Sequence, residues 1–314
     1  MAHSLLTSSR PLLWRRSVLL ASLGVWVPSL AIGDDAPAPP PLKAQPCPAA
    51  PKAMSCIPGG VFLRGTNRGL KNTRPQAEIW VDTFFMDQTE VTVEAFDACV
   101  QQGKCQDART VYEDFSRPRQ PKVGVSWYDA AHFCEVQGKH LPTEAEWEKA
   151  ARGTDGRLYP WGNEVATCER AVIEDRRGRS CGVKKRGAGR DKGRTFEVGS
   201  RAPTLYGLYD MCGNAWEWVN DWYTSSYAAC GKACSGPNPR GPCGGQEPCP
   251  GRFYRVVRGG SWYYGAEMAT TVYRRYHYPK NRPYHHFGFR CAASVSEAKH
   301  LVAPQPRPTT ATHR

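Results

Sequence analysis

The segment "DMCGNAWEW", from Asp210 to Trp218, combines residue types that suit a hard metal ion. Asp210 and Glu217 provide carboxylate oxygens, and Gly213 and Asn214 between them predict a tight turn that leaves backbone carbonyl groups free. Carboxylate and carbonyl oxygens are the ligands that calcium prefers. The segment therefore predicts a calcium site. The alternative is a turn that Asx-type hydrogen bonds hold without a metal.

Three histidines form a second candidate site. His277, His285 and His286 lie in the aromatic, basic segment "YHYPKNRPYHHFGF", and imidazole binds iron and copper well. However, His285 and His286 are adjacent and would point apart in an extended chain, and no nearby carboxylate completes a facial triad. We therefore favour an aromatic, partly exposed surface over a redox-metal site.

The chain has 13 cysteines, which in an exported protein indicate a disulfide framework. Their spacing suggests two local bridges, Cys99 with Cys105 and Cys168 with Cys181. A zinc site is the rival interpretation of the cluster at residues 230–249, although it contains no CxxC pair. The odd total leaves at least one thiol unpaired or bonded between chains, and spacing alone does not assign Cys47, Cys56, Cys212, Cys230, Cys234, Cys243 or Cys249.

The first residues predict export. Arg10, Arg15 and Arg16 precede the apolar run "SVLLASLGVWVPSLA", which ends at the small-residue site "AIG". This pattern is typical of a cleaved signal peptide, of the Sec or the twin-arginine type, and the run is too short for a transmembrane helix. We predict a signal peptide at 1–33, a Pro/Ala-rich linker at 34–54, one domain at 55–295 and a disordered tail at 296–314. The expected location is periplasmic or secreted, without a stable membrane span.

The net charge of +13 is concentrated in one place. Many of the basic residues lie in the Gly-rich stretch "RRGRSCGVKKRGAGRDKGR", from Arg176 to Arg194. We interpret it as a solvated insertion; the alternative is a contact with an anionic envelope component or an acidic protein. Nucleic acid is excluded as the partner of an exported chain.

Three short helices have recognisable ends. Thr92, Ser126 and Thr143 are predicted N-caps, the last two with an acidic residue three positions later, as in a capping box. Gly103, Gly138 and Gly153 are the corresponding stops. Short strands are expected around "GGVFLRGTN" and "EIWVDTFFMDQTEVT", and the chain after Gly153 is rich in turns. The pattern predicts an irregular α+β domain rather than a βαβ layout.

Four segments, in order, resemble the formylglycine-generating enzyme (sulfatase-modifying factor) family. They are "VSWYDAAHFCEVQGKHLPTEAEWEKAARG" with "YPWGNE", "YGLYDMCGNAWEWVNDWY", "RVVRGGSWY" and "FGFRCAAS". The resemblance spans Ser55 to Ser294. It implies a C-type-lectin-like fold variant with little regular secondary structure, here stapled by disulfides.

The resemblance also implies site residues. A disulfide is expected between Cys134 and Cys291, the alternative being that Cys134 is a buried thiol. The resemblance implies calcium at Asp210 and Glu217, the carboxylates that the residues themselves indicate, and adds the carbonyl groups of Gly213 and Ala215 as ligands. A second calcium site of the family is not carried over, because Arg170 and Ala171 stand about where its ligands would be.

Formylglycine-generating enzymes of this family bind copper through two cysteines a few residues after "GGS". Here those positions are Tyr264 and Ala269, and no cysteine lies between Cys249 and Cys291. Neither residue replaces a thiolate on Cu(I), so the known copper mechanism is not expected, and copper is not an expected cofactor.

The resemblance places Trp216 and Ser261 in the substrate cleft of the family, and Trp262, Tyr263 and Tyr264 would add apolar walls with polar tips. We therefore expect a binding or accessory module that uses this cleft for a protein, a peptide or an anionic envelope component. The alternative is a divergent metal-dependent oxidoreductase acting on a peptide or small molecule in the periplasm. The added helical domain of iron-dependent relatives is absent from the sequence.

Overall fold

The computed structural model describes residues 44–108, 110, 112–183, 193–280 and 284–302. The predicted signal peptide, the linker as far as residue 43, residues 184–192 of the basic stretch and the tail from residue 303 lie outside the described residues. Among the described residues, no helix is both long enough and apolar enough to cross a lipid bilayer.

Short strands build much of the described fold. In chain order they are β1 (Met54–Ile57), β2 (Gly60–Arg64), β3 (Ala77–Val81), β4 (Phe84–Asp87), β5 (Trp216–Trp222), β6 (Arg255–Arg258), β7 (Arg275–His277), β8 (Phe287–Gly288) and β9 (Ala292–Ser294). They form the sheets β1-β4-β9, β2-β3 and β7-β6-β5-β8. Every pair is antiparallel except β5 with β8. The last sheet carries the candidate functional residues.

The helices are equally short, and three of them begin and end where the sequence predicts. They are α1 (Val93–Gln101), α2 (Trp127–Val136), α3 (Glu144–Arg152), α4 (Tyr227–Cys230) and α5 (Val295–Val302). The side chains of Thr92, Ser126 and Thr143 accept the expected capping hydrogen bonds, and the capping boxes of α2 and α3 are complete. Local capping chemistry therefore determines these helix boundaries.

In the structure, the fold extends past both ends of the domain that the sequence predicts at 55–295. Residues before 55 already belong to the fold, because Gln45 bridges Gly59 and Cys47 forms a disulfide with Cys56. At the other end, residues predicted to be a disordered tail form α5. Glu297 accepts a hydrogen bond from the backbone of Ser294 at 2.6 Å and one from the ring of His140 at 2.9 Å. Contacts with a distant residue therefore order a segment whose composition alone suggested disorder.

A buried ionic network joins α3 to the sheet that carries the site. Glu144 accepts hydrogen bonds from Arg258 at 3.0 Å and from Arg274 at 2.7 and 2.8 Å, while Glu148 pairs with Arg258 at 2.8 Å. These four side chains are fully or almost fully buried. Buried charges persist only when they are paired and hydrogen-bonded, as they are here. The network therefore fixes β6 and the chain around Arg274 against α3.

All 13 cysteines lie in the described residues. The structure contains the disulfide Cys134–Cys291, which joins α2 to the residue before β9 across a sequence separation of 157. The other bridges are local: Cys47–Cys56, Cys99–Cys105, Cys168–Cys181, Cys230–Cys234 and Cys243–Cys249. The zinc interpretation of the cysteines at 230–249 therefore does not hold, because disulfide formation removes their thiolates. Cys212 remains as a buried thiol.

Candidate functional site

The loop that leads into β5 has the tight backbone that the sequence indicates. Asp210, Gly213 and Asn214 have φ angles of 57°, 87° and 55°, in the left-handed region. A side chain on Gly213 would bring a Cβ atom within 2.6 Å of the backbone oxygen of Val172, so this position requires glycine. The turn places Asp210 and Glu217 close enough for their charges to interact.

Glu217 is fully buried and already has charged and neutral donors around it. Arg290 donates to both of its carboxylate oxygens at 2.8 Å, and the indole N–H of Trp147 donates to one of them at 2.8 Å. A carboxylate offers about four lone-pair positions. Glu217 therefore keeps room for one further interaction, although Arg290 balances its charge.

Two other buried acids, Glu90 and Asp210, have their negative charge compensated less completely. Burial, the charge of Asp210 and that of Glu217 raise the pKa of Glu90 well above its ordinary value, although Arg290 opposes the shift. Burial and the charge of Glu217 also raise the pKa of Asp210 to about 6. The Oε1 atom of Glu90 is buried and has no hydrogen-bond partner. Arg290 and, at Asp210 alone, Arg201 thus oppose three buried carboxyl groups, which leaves an excess of negative charge that a divalent cation would relieve.

The oxygen donors at this loop are of the chemical type that calcium binds, but only two of them, Asp210 and Glu217, are side chains. Within the described ranges, no three His, Cys, Asp or Glu side chains are grouped to hold a metal ion. Calcium at this loop would need the two carboxylates of Asp210 and Glu217 together with the backbone carbonyl groups of Gly213 and Ala215.

The alternative of a metal-free turn also has support in the structure. The backbone N–H of Gly199 donates to Asp210 at 2.6 Å, and that of Phe196 donates to the side-chain oxygen of Asn214 at 2.9 Å. These bonds hold the turn by themselves.

The segment about where the second calcium site of the family would lie offers other side chains. There Arg170 pairs with Glu164 at 2.6 Å and Ala171 is buried.

Tyr264 and Ala269, which the resemblance aligns with the copper-binding cysteines of the family, have apolar and aromatic surroundings. Ala269 is fully buried in a cluster that includes Cys212 and Tyr159. Tyr264 is partly exposed, its ring centroid lies 6.1 Å from that of Trp216, and the guanidinium of Arg275 lies 4.8 Å from its centroid. Burial raises the pKa of the Cys212 thiol well above its ordinary value, so this cysteine stays protonated and is a poor metal ligand.

Three residues that the sequence analysis places in the cleft are buried more deeply than expected. Trp216, Ser261 and Trp262 each have 0% exposure, so they belong to the core and do not form an open wall. Trp262 packs against Phe115 and His285, and the packing of segments far apart in the sequence covers these residues. Of the five residues that the sequence analysis places in the cleft, Tyr263 and Tyr264 alone remain partly exposed.

The histidine segment is also more buried than the sequence suggests. His285 and His286 have 5% and 6% exposure, so the expectation of a partly exposed surface is wrong for both. Burial, reinforced by His285 and Arg275, lowers the pKa of His286 to about 2. The His286 imidazole is therefore neutral. His277 is half-buried and packs edge-on against Trp218.

A surface groove of about 790 Å³ is lined by residues that flank Ala269 in the sequence, although neither Ala269 nor Tyr264 lines it. Glu267, Thr270 and Tyr273 line one side, next to Ala269 in the sequence, and the other side includes Arg68 and Leu158. The groove thus combines apolar, aromatic and charged side chains, as ligand sites do. Sequence reasoning missed these residues because the groove forms between three loops that no local pattern connects.

Comparisons with known proteins agree with this architecture. A family model described as the sulfatase-modifying factor enzyme 1-like domain matches residues 41–295. The formylglycine-generating enzyme of Bos taurus is 31% identical over 297 residues, which cover 78% of this chain and 76% of that enzyme.

A serine/threonine-protein kinase pkn1 of Chlamydia caviae is 33% identical over 266 residues, 77% of this chain but 38% of the kinase. The chain therefore spans well under half of that relative. The solved structure of PvdO from Pseudomonas aeruginosa has a TM-score of 0.58 and 24% identity, covering 82% of this chain and 100% of the other. This likeness extends to the fold, a variant with small mixed sheets and few helices.

Proposed function

Because this chain belongs to the formylglycine-generating enzyme (sulfatase-modifying factor) family, we propose that it is an exported binding or accessory member without the copper oxidase activity. The observation that carries the proposal is the pair Tyr264 and Ala269 at the positions of the copper-binding cysteines. A phenol and a methyl group cannot replace two soft thiolates on Cu(I). Six disulfides support an oxidising compartment.

The binding surface in this proposal is the groove beside Tyr273. Its volume of about 790 Å³ is in the range that small molecules and short peptides occupy. Arg68 and Glu267 offer charges of both signs for orientation, while Leu158 and Tyr273 offer apolar contact. The partner class is a peptide or protein, or a component of the cell envelope.

We also propose calcium at Asp210 and Glu217. Bound there, calcium would neutralise the buried carboxyl groups and stabilise the turn that leads into β5. The role is structural, because Glu217 and Asp210 are buried and do not line the groove.

A divergent oxidoreductase is the second candidate, and its support is the neutral imidazole of His286, whose Nδ1 atom is buried and without a hydrogen-bond partner. Neutral imidazole is a common iron and copper ligand. Against this candidate, the described residues bring no group of three ligating side chains together around it.

Elemental analysis distinguishes the two candidates. The full chain is exported by its own signal, purified without chelator and with its disulfides intact, and measured by mass spectrometry of its metals. We expect about one calcium per chain and only traces of iron and copper. About one iron or copper per chain, lost in His286→Ala, would favour the oxidoreductase.

A further inference from the structure

Four tyrosine rings form a continuous run at the edge of the sheet β7-β6-β5-β8, with Tyr276 and Tyr278 exposed and Tyr223 and Tyr254 partly buried. We call Tyr223, Tyr276, Tyr254 and Tyr278, in this spatial order, the tyrosine ladder; successive ring centroids lie 4.6, 4.8 and 4.5 Å apart. Tyr276 and Tyr278 are 48% and 55% exposed, and the neighbouring Phe253 is 66% exposed. Exposed aromatic surface of this extent indicates a contact surface.

The sheet register explains why the rings share one face. Tyr276 lies opposite Val256, and strand alternation puts Tyr278 and Tyr254 on the same side. Arg275 and His277 point to the other side, where they pack against Trp216 and Trp218. Arg275 and His277 therefore anchor β7, while Tyr276 and Tyr278 remain accessible because β7 is the edge strand of the sheet.

The ladder is fixed before any ligand binds. The hydroxyl of Tyr254 donates to that of Tyr278 at 3.0 Å, and the side-chain amide of Asn72 donates to the hydroxyl of Tyr223 at 3.2 Å. Tyrosines offer a large amphipathic contact area at a low cost in conformational entropy. Hydrogen bonds among the rings lower that cost further, because the side chains are already ordered.

Basic residues flank the ladder at both ends. Lys71 precedes Asn72, Lys280 follows Tyr278 by two residues, and Arg252 precedes Phe253. Lys71 and Lys280 are exposed, Arg252 is partly exposed, and none of the three forms an ion pair with a described residue. No described carboxylate bonds to a ladder hydroxyl. The charge of this surface is therefore complementary to an anionic ligand.

We propose that the tyrosine ladder binds an anionic polysaccharide. The C–H faces of consecutive sugar rings pack on the aromatic rings, the sugar hydroxyl groups bond to the tyrosine hydroxyls, and the carboxylate or sulfate groups meet Lys71, Arg252 and Lys280. A row of flat, amphipathic rings with cations at its edges matches this ligand in shape, polarity and charge. None of the four rings lines the groove beside Tyr273, so this site is independent of the proposed function.

The test uses polygalacturonate as the probe and poly-L-glutamate as a polyanion of similar charge without sugar rings. Affinity electrophoresis of the full chain measures retardation by each polymer. We expect polygalacturonate to be bound, and Tyr276→Ala and Tyr278→Ala each to weaken that binding about five- to tenfold. Retardation by poly-L-glutamate should be weaker and unchanged in both variants.

Two controls separate ring loss from misfolding. Tyr276→Phe keeps the ring and should keep most of the affinity, while Leu205→Ala removes a side chain that is 69% exposed outside the ladder and should have no effect. Thermal unfolding checks that each variant folds. Three results would overturn the proposal: no retardation by polygalacturonate, wild-type affinity in both alanine variants, or equal retardation by poly-L-glutamate, which would assign the surface to acidic polypeptides.

Discussion

At the residue scale, Asp210 stands out because its surroundings disfavour its charge. Burial and Glu217 raise the pKa of Asp210 to about 6 from the ordinary 3.8. The folded chain therefore binds more protons than the unfolded chain between these two values. The free energy of unfolding falls as the pH rises through this interval, because the buried carboxyl group must ionise.

Bound calcium should offset the free-energy cost of ionising Asp210, so its effect on stability should depend on pH. Calcium binds the ionised carboxylate and competes with protons below about pH 6. We expect calcium to raise the Tm clearly at about pH 7.5 and little at about pH 5. Asp210→Asn should weaken calcium binding roughly tenfold or more, because it removes a charged ligand. Calorimetric titration and thermal unfolding, with and without chelator, measure both effects.

Asp155→Asn is the matched control, because the Asp155 side chain is 55% exposed and pairs with Arg157 at the surface. Its calcium response should equal that of the wild type. An unchanged calcium affinity in Asp210→Asn would show that calcium does not bind at this loop.

The chemical roles of single residues could be predicted from the sequence better than their burial in the fold. The ligand types at Asp210 and Glu217 and the absence of a cysteine pair at Tyr264 and Ala269 follow from the sequence. The complete burial of Trp216 and Trp262 does not, because it depends on residues from remote segments: Phe115 and His285 pack against Trp262, and Tyr264 and Tyr273 pack against Trp216. As a consequence, Trp216→Ala would test the stability of the core and not ligand binding.

At the element scale, helix ends follow local rules while helix docking does not. Thr92, Ser126 and Thr143 could be recognised as caps because their partners lie three residues away. The helix α5 could not be recognised, because Glu297 bonds to His140, which lies 157 residues away in the sequence.

His140 should therefore hold α5 in place through its charge. Burial opposes its protonation, but Glu146 at 3.3 Å and Glu297 at 2.9 Å raise the pKa of His140 to about 10. A raised folded pKa gives stabilisation that is complete below the unfolded value of 6.5 and is lost as the pH rises through about 10. In turn, the bond and charge of His140 outweigh burial and lower the pKa of Glu297 from 4.5 to about 2. The stabilisation by ionised Glu297 is therefore lost as the pH falls from about 4.5 to about 2.

We expect His140→Gln to lower the free energy of unfolding by about 1–3 kcal/mol at neutral pH, since hydrogen bonds to charged groups contribute this much. The loss should shrink as the pH approaches about 10. Hydrogen exchange should show faster opening of residues 295–302 in the variant. His132→Gln is the control, because His132 bonds to a backbone carbonyl at an exposed site. If the difference in the free energy of unfolding between His140→Gln and the wild type did not change with pH, the stabilising role of the His140 charge would be contradicted.

At the scale of the whole molecule, long-range links hold short elements together. The ion pair between Arg258 and Glu144 joins residues 114 apart in sequence, and the disulfide Cys134–Cys291 closes a separation of 157. The chain-entropy model gives such a loop about 4 to 5 kcal/mol. The family motifs allowed the fold class to be predicted, since hydrophobic periodicity is weak in elements this short. The groove beside Tyr273 could not be predicted, because it forms between three loops that lie far apart in the sequence.

We propose that this family member lacks a copper site because Tyr264 and Ala269 stand at the positions where the resemblance expects two cysteines. Anaerobic titration of the disulfide-intact chain with Cu(I), in competition with a chromophoric chelator, measures this directly. The wild type should leave the copper with the chelator. The double variant Tyr264→Cys with Ala269→Cys should take up about one Cu(I) per chain, because it restores two soft ligands, while either single variant should bind much more weakly. Stoichiometric, tight Cu(I) binding by the wild type would contradict this proposal and would indicate that the chain is a copper-dependent oxidase.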